Sequence, residues 1–275
     1  MNFKTTFNYL SFVSIIALMA SCGSSTSEGD VFTDADAIEF TQKEKNNKVQ
    51  KIFSSIQSQS ETTSMLDAAE AKYDSKLLNP IENTAKYSSV KSRALNLGVY
   101  GMDLGVTNIF GQTQESMLYL RCANKMSTSL GISGAFDEKM SERIEASSDD
   151  KDSLLAIITD SYKNADNYLQ ENGQAGVSTL MVAGGWLEGL YIASQIACIT
   201  ESDAIIRRID EEKGNLNTII SLLEDCKTDT DGANEVLTDF NALKEVFENE
   251  PLEITLQKVK LISEKITEMR NKIIE

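Results

Sequence analysis

The sequence contains no histidine, and this absence removes several reaction mechanisms at once. A Ser-His-Asp or Cys-His nucleophile requires an imidazole base, and zinc-protease motifs and histidine-ligated haem require imidazole ligands. We recognise no catalytic motif built on carboxylates, Lys, Tyr or Cys, no phosphate-binding glycine loop and no metal-ligand spacing. We therefore expect a protein that is not an enzyme and that uses neither a metal nor a cofactor.

Proline is almost as scarce, with 2 residues in a chain of 275. Because proline breaks helix interiors, this scarcity permits long helices. Alternating strand patterns are hard to find, whereas apolar residues recur at helical spacing through most of the chain. The sequence predicts one all-α domain over residues 38–275, a bundle or array of roughly eight to ten helices.

Cationic side chains are outnumbered by acidic ones, 26 against 42, which gives a net charge of −16. Nucleic acid is excluded as a partner, because its binding requires cations that neutralise phosphates. Attachment to anionic lipid headgroups through a basic protein face is disfavoured for the same reason.

The N-terminal residues have the pattern of an export signal. Residues 1–21 begin with a short polar segment containing Lys4 and continue into an apolar run too short to span a bilayer. A pair of small residues then precedes Cys22, an arrangement that resembles the lipobox of bacterial lipoproteins, with Met19 where Leu is usual. The resemblance implies that Cys22 receives diacylglycerol. The polar residues 22–37 predict a flexible tether behind this anchor.

The lipobox resemblance also implies a location. Three acyl chains hold a protein firmly, since each buried methylene contributes roughly 0.8 kcal/mol. Gly23, in place of an aspartate after the cysteine, is compatible with transport to the outer membrane. Lipoproteins that reach the cell surface often carry an acidic cluster there, which only Glu28 and Asp30 approach. We expect an outer-membrane lipoprotein, and the choice between the periplasmic and the surface face stays open.

Small residues recur at helical spacing in two apolar segments. One segment carries Gly185, Gly189, Ala193 and Ala197, and the other carries Gly98, Gly101 and Gly105. Small residues four apart let a second helix backbone approach closely. We predict that the two helices cross in the core, so that Gly189→Leu would force them apart. A membrane span over 177–200 is the alternative, which Glu188 near its middle disfavours.

Glu188 is the most conspicuous single residue, because it lies on an otherwise apolar helix between Trp186 and Tyr191. A desolvated carboxylate must be paired or carry a raised pKa. One interpretation is a ligand or partner site made of Glu188, Trp186, Tyr191, Tyr100 and Asp103. The other is a structural salt bridge, for which Arg93 and Arg121 stand in other apolar segments.

Three cysteines follow Cys22, namely Cys122, Cys198 and Cys226. Their odd number leaves at least one outside any intramolecular disulfide, and the sequence leaves their pairing open.

A weak internal similarity links two further segments. Arg143-Ile144-Glu145 and Arg208-Ile209-Asp210 are each followed by a similarly spaced set of apolar residues. Duplication of a helical unit and chance similarity between amphipathic helices both account for it.

The central half of the chain resembles a family of all-helical lipoproteins from Bacteroidetes. The resemblance is carried by the lipobox ending at Cys22 and by four segments: LNLGVYGMDL (95–104), FGQTQESMLYL (110–120), DSLLAII (152–158) and AGGWLEGLY (183–191). It implies an all-α envelope lipoprotein and brings with it neither an activity nor catalytic residues.

Two functions are consistent with these observations. The first is a non-enzymatic binding or scaffold module, held at the outer membrane by its lipid and working with an envelope protein partner. The alternative is a small-ligand-binding lipoprotein with a pocket around Glu188 and Trp186. A concave pocket containing both residues would favour the ligand, whereas an exposed apolar patch elsewhere would favour the protein partner.

Overall fold

The computed structural model describes residues 59–132, 138–146, 151–249 and 253–275, together with residues 44, 47–49 and 52. Within these residues the fold consists of ten α-helices and two short 3-10 helices, without a strand. The α-helices are α1 (Gln59–Ala68), α2 (Val90–Ile109), α3 (Thr113–Ser129), α4 (Glu138–Ala146), α5 (Lys151–Glu171), α6 (Ala175–Thr200), α7 (Asp203–Glu211), α8 (Lys213–Cys226), α9 (Ala233–Glu248) and α10 (Leu256–Ile274). The predicted all-α class is confirmed. The signal, Cys22 and the tether lie outside the described residues.

Helix α6 is the centre of the fold. It packs most extensively on α2, which also packs on α3, and it is contacted by α5, α7, α8 and α10. In the part of the chain that the structure describes, α6 alone is long and apolar enough to cross a membrane, by length and composition only. Because 61% of its most apolar window is buried inside the protein, its packing is that of a core helix.

The segment before α2 differs from the sequence prediction. Asn79-Pro80 predicts the start of a long helix, but a 3-10 helix follows at Ile81–Ala85 and α2 begins only at Val90. The Asn79 side chain, which was expected to cap a helix, instead donates to the Tyr87 hydroxyl and to Asn96, at 3.0 Å each. These tertiary hydrogen bonds outweigh the local helix-start signal and hold the segment in an irregular conformation.

Two further boundaries were not predicted. The charged segment after α6 forms α7, whose Ile205, Ile206 and Ile209 are buried. The last helix was expected to open at Pro251, which lies outside the described residues, but α10 begins at Leu256. Its N-cap is Thr255, whose side chain accepts the Lys258 N–H. A side-chain oxygen in this position satisfies one of the unpaired amides of the first turn.

The C-terminal end of α10 is capped by distant side chains. The carbonyl oxygen of Ile274 accepts hydrogen bonds from Asn83 (3.2 Å) and from the Tyr87 hydroxyl (3.1 Å). Asn96 of α2 donates to the carbonyl oxygen of Ile273 at 2.9 Å. The last carbonyls of a helix have no partner inside the helix, so these side chains fasten α10 to the segment before α2.

The two segments of the weak internal similarity each form a short helix followed by a longer one, α4 with α5 and α7 with α8. Duplication remains a prediction.

Cys122, Cys198 and Cys226 are present as thiols. Burial raises the pKa of the Cys122 thiol to about 11, so this side chain stays protonated near neutral pH.

Candidate functional site

The α2–α6 helix pair carries candidate site residues in two places, a buried charge cluster and a cavity. Glu188 belongs to the charge cluster. Its side chain is 0% exposed and forms a two-point salt bridge with Arg270 of α10. The Arg270 Nε lies 2.6 Å from Glu188 Oε2, and Nη2 lies 2.7 Å from Oε1. Nη2 also donates to the Leu77 carbonyl at 2.9 Å, and the guanidinium lies 4.3 Å from the Tyr191 ring centroid. This desolvated, two-point geometry is the strong form of an Arg–carboxylate pair.

Asp103 adds a second buried carboxyl group to this cluster. Burial and the neighbouring Glu188 charge raise the pKa of Asp103 well above its usual range. Its Oδ2 accepts the Asn79 backbone N–H at 3.1 Å, whereas its Oδ1 accepts no hydrogen bond from the described residues. An oxygen that carries a proton and donates it to Glu188 explains this arrangement, because two carboxylates facing one arginine cannot both ionise cheaply. The cluster is then electrically neutral.

This protonation makes the stability of the fold depend on pH. The folded state holds a proton on Asp103 that the unfolded chain releases near pH 4, so the stabilisation contributed by Asp103 is lost as pH rises from about 4 through its raised folded-state pKa. Asp103→Asn mimics the protonated side chain and removes this effect. We expect the variant to gain stability over the wild type by up to about 1.4 kcal/mol per pH unit above pH 4, until the folded-state pKa is passed.

Urea unfolding of both chains between pH 4 and pH 8 measures this difference. Comparing the two chains at each pH cancels the titration of all carboxylates that they share. A gap that stays constant across the range would show that Asp103 is not the proton-binding group.

The five candidate residues divide between these two places. Glu188, Asp103 and Tyr191 belong to the charge cluster around Arg270. Tyr100 lies beside it, fully buried, with its hydroxyl donating to the Pro80 carbonyl at 3.0 Å. These four residues do not line the cavity described below, and the ligand site around Glu188 stays a prediction. Trp186 alone of the five faces that cavity.

Arg270 is the salt-bridge partner of Glu188 that the sequence analysis missed. Its neighbours on the buried face of α10 are Val259, Ile262, Ile266 and Ile274, at helical spacing. An arginine inside such an apolar stripe signals a buried ion pair. Arg93 and Arg121, the partners considered from sequence, do not pair with Glu188: Arg93 donates to the Tyr87 carbonyl, and the Arg121 side chain is exposed.

The crossing of α2 and α6 confirms the close approach predicted from the small residues. A Cβ on Gly98 would collide with the carbonyl oxygen of Met181, and a Cβ on Gly185 would lie 3.2 Å from the Gly98 carbonyl oxygen. Gly184, which lies outside the predicted stripe, faces the backbone of Leu95 just as tightly. The absence of side chains at these positions lets the two backbones touch.

The remaining glycines of the two segments face side chains or empty space instead of backbone. A Cβ on Gly101 would collide with the Tyr162 hydroxyl of α5, and one on Gly189 would lie 2.9 Å from the flexible Met102 methyl group of α2. Around Gly105 no atom of the described residues lies within 4 Å of such a Cβ, although Gly105 is buried. Together with Ala193 these glycines also line an empty space.

That space is an apolar cavity of about 290 Å³ on the face opposite the charge cluster. Its described walls come from α1, α2, α5, α6, α7 and α8, with Ile52 and Asn215 among the contributors. The glycines of α2 and α6 form its floor. The volume is near the lower end of the range of about 300–1,000 Å³ found for ligand sites.

The polar side chains around the cavity are hydrogen-bonded or ion-paired with other groups of the protein. The Tyr162 hydroxyl donates to the Leu97 carbonyl at 2.6 Å. Trp186 Nε1 donates to Glu212 Oε2 at 2.8 Å, and the Arg208 guanidinium lies 2.8 Å from Glu212 Oε1. Asn215 donates to the same carboxylate at 2.7 Å. One end of the cavity therefore carries a neutralised polar group, and the rest is apolar.

Neither place has the composition of a metal centre. Within the described residues, no group of three or more Cys, Asp or Glu side chains is placed to hold a metal ion. In the charge cluster the Glu188 carboxylate is already paired with Arg270, whereas the cavity has room for a ligand.

A comparison of the chain with protein-family models, with curated proteins and with solved structures found no match.

Proposed function

We propose that this chain is a lipid-anchored protein of the bacterial envelope whose helical domain binds a small molecule without transforming it. The anchor is the Cys22 acyl group, and the binding site is the cavity between α2, α5 and α6. The observation that carries the proposal is the cavity itself, an apolar concave volume of about 290 Å³ lined by glycines of α2 and α6.

The energetics of Gly105 support a binding site over a packing defect. Glycine in a helix interior costs about 1 kcal/mol relative to alanine, and at Gly98 a close backbone contact offsets that cost. Gly105 makes no such contact with the residues that the structure describes, since none of their atoms lies within 4 Å of a Cβ built there. An unfilled volume further forfeits the dispersion contacts of its walls. The fold therefore carries two penalties at one place, and a bound ligand would offset both.

Gly105→Leu tests the proposal by filling the cavity with a side chain. We expect the variant to be at least as stable as the wild type, because leucine gains helix propensity and its Cβ meets no atom of the described residues within 4 Å. Small molecules that co-purify with the chain from its native membranes should be lost. Thermal melts and mass spectrometry of the extracted small molecules measure the two effects.

Gly214→Leu is the matched control. Gly214 is also a helical glycine with no atom of the described residues within 4 Å of an added Cβ, but it is exposed on α8 and does not line the cavity. Its leucine variant should keep the bound molecule. Retention of the same molecule by Gly105→Leu would place binding elsewhere on the protein.

The lipid anchor has its own test. Changing Cys22 to Ala removes the thiol that a diacylglycerol group would modify, so the variant should incorporate no labelled acyl chain. Metabolic labelling of cells followed by gel analysis measures the incorporation. Continued labelling of the variant would contradict the proposed anchor.

The exposed apolar side chains lend less support to a protein partner. Among the described residues the large ones are Val90, Leu118, Tyr168, Ile199 and Leu261. Each belongs to a different helix, and single exposed apolar residues are normal on soluble proteins. The geometry thus favours ligand binding over a scaffold function.

A further inference from the structure

We infer that the ligand of the cavity is a single neutral alkyl chain, as found in a fatty alcohol or in one acyl chain of a lipid. This inference rests on the proposed binding function and names its ligand class. It follows from three properties of the cavity: the state of its polar atoms, its shape and the side chains that line it.

The polar atoms exclude a charged ligand. Glu212, the carboxylate at the cavity, is already surrounded by three donors from Trp186, Arg208 and Asn215. Arg208 bonds a second carboxylate, Glu211, at 3.1 Å. Most of the cavity wall is hydrocarbon, so a ligand ion inside it would lack a counter-charge and carry a large desolvation penalty.

The shape favours a chain over a compact ring. Lining positions extend along α2 from Gly98 to Ile109 and along α6 from Met181 to Ala193. At a rise of 1.5 Å per residue these stretches are about 16 and 18 Å long, whereas a sphere of the same volume would be only about 8 Å across. Walls of this length can accommodate an extended alkyl chain along the two helices.

The wall can adapt to a chain of variable conformation. Three methionines, Met65, Met102 and Met181, contribute to it, and methionine is unbranched and flexible. The Met102 side chain is half-buried and lies over Gly189, where its methyl group can move without displacing backbone. Methionine-lined apolar sites of this kind suit linear hydrocarbon better than a rigid ligand of fixed shape.

Trp186 supplies a site-specific readout. It is the one tryptophan in the chain, and it lies in the cavity wall, so intrinsic tryptophan fluorescence reports on this site alone. We propose titrating the full mature chain, produced from residue 22 onward without lipid, with four probes. The probes are decan-1-ol, decanoate, decyltrimethylammonium and benzene. Vesicles of phosphatidylethanolamine form a fifth arm, after which the re-isolated chain is extracted and the lipid is identified.

Decan-1-ol should shift the Trp186 emission saturably, with at least tenfold tighter binding than either ion and than benzene. Gly105→Leu should abolish the shift and Gly214→Leu should retain it. Recovery of intact phosphatidylethanolamine with the protein from the vesicle arm would identify a membrane lipid as the source of the bound alkyl chain. If no phosphatidylethanolamine is recovered, the source is a free alkyl compound. Equal or tighter binding of an ion or of benzene would overturn the alkyl-chain inference and leave the proposed function standing. If no probe binds to the folded wild type and no small molecule co-purifies from native membranes, both are overturned.

Discussion

Arg270→Met should lower the free energy of unfolding by about 3–5 kcal/mol, because it strands the Glu188 charge in the core. Glu188 is 0% exposed, and the Arg270 guanidinium donates a hydrogen bond to each of its carboxylate oxygens. Methionine approximates the aliphatic part of the arginine side chain, so the loss reports mainly on the charge. Urea unfolding monitored by circular dichroism at pH 7 measures it.

The double variant Glu188→Leu/Arg270→Met separates charge from packing. Replacing both partners by apolar side chains leaves no ion without a partner, and such replacements are often neutral or stabilising. Most of the lost stability should therefore return. Glu188→Gln, in contrast, should be strongly destabilising, since Arg270 then becomes the unpaired ion. If the double variant is as unstable as Arg270→Met alone, the loss comes from packing and not from the buried charge.

Alanine at Gly98 and alanine at Gly105 should change stability in opposite directions. The Cβ of Gly98→Ala would collide with the Met181 backbone, which cannot move without separating α2 from α6. We expect a net loss of roughly 2 kcal/mol, since overpacking outweighs the gain in helix propensity. Gly105→Ala meets open space, so it should gain up to about 1 kcal/mol.

Thermal melts of the two variants test this contrast within one helix. Gly189→Leu, which the sequence predicted to force the helices apart, should be milder than Gly98→Ala, because its side chain meets the flexible Met102 and the cavity instead of backbone. A Gly98→Ala variant that melts like the wild type would show that the helix crossing tolerates a wider separation.

The crossing of α2 and α6 was predictable because its signal is local. Small residues at helical spacing mark a close helix contact wherever the partner lies. The sequence does not show what each missing side chain faces. Gly98 and Gly105 occupy equivalent places in one stripe, but the first touches backbone and the second faces a cavity. That difference depends on where α5 and α6 lie in space.

The sequence predicted that Glu188 is buried and paired, but it did not show which residue pairs with it. Glu188 in an apolar helix requires a partner by solvation energy alone, which is why burial and pairing were expected. The partner is 82 positions away in the sequence, on α10. Asn79 illustrates the same limit: its local signal is a helix start, but its hydrogen bonds to Tyr87 and Asn96 decide its conformation.

The position of Arg270 has a consequence for the order in which the chain can fold. During synthesis, α2 and α6 emerge before α10, and they bring Asp103 and Glu188 with them. Until Arg270 arrives, the partly emerged chain has a carboxylate at its centre without a counter-charge, so the hydrophobic pair cannot close stably around it. The last helix thus acts as a completion signal, and chains that lack it should stay open to proteases and chaperones.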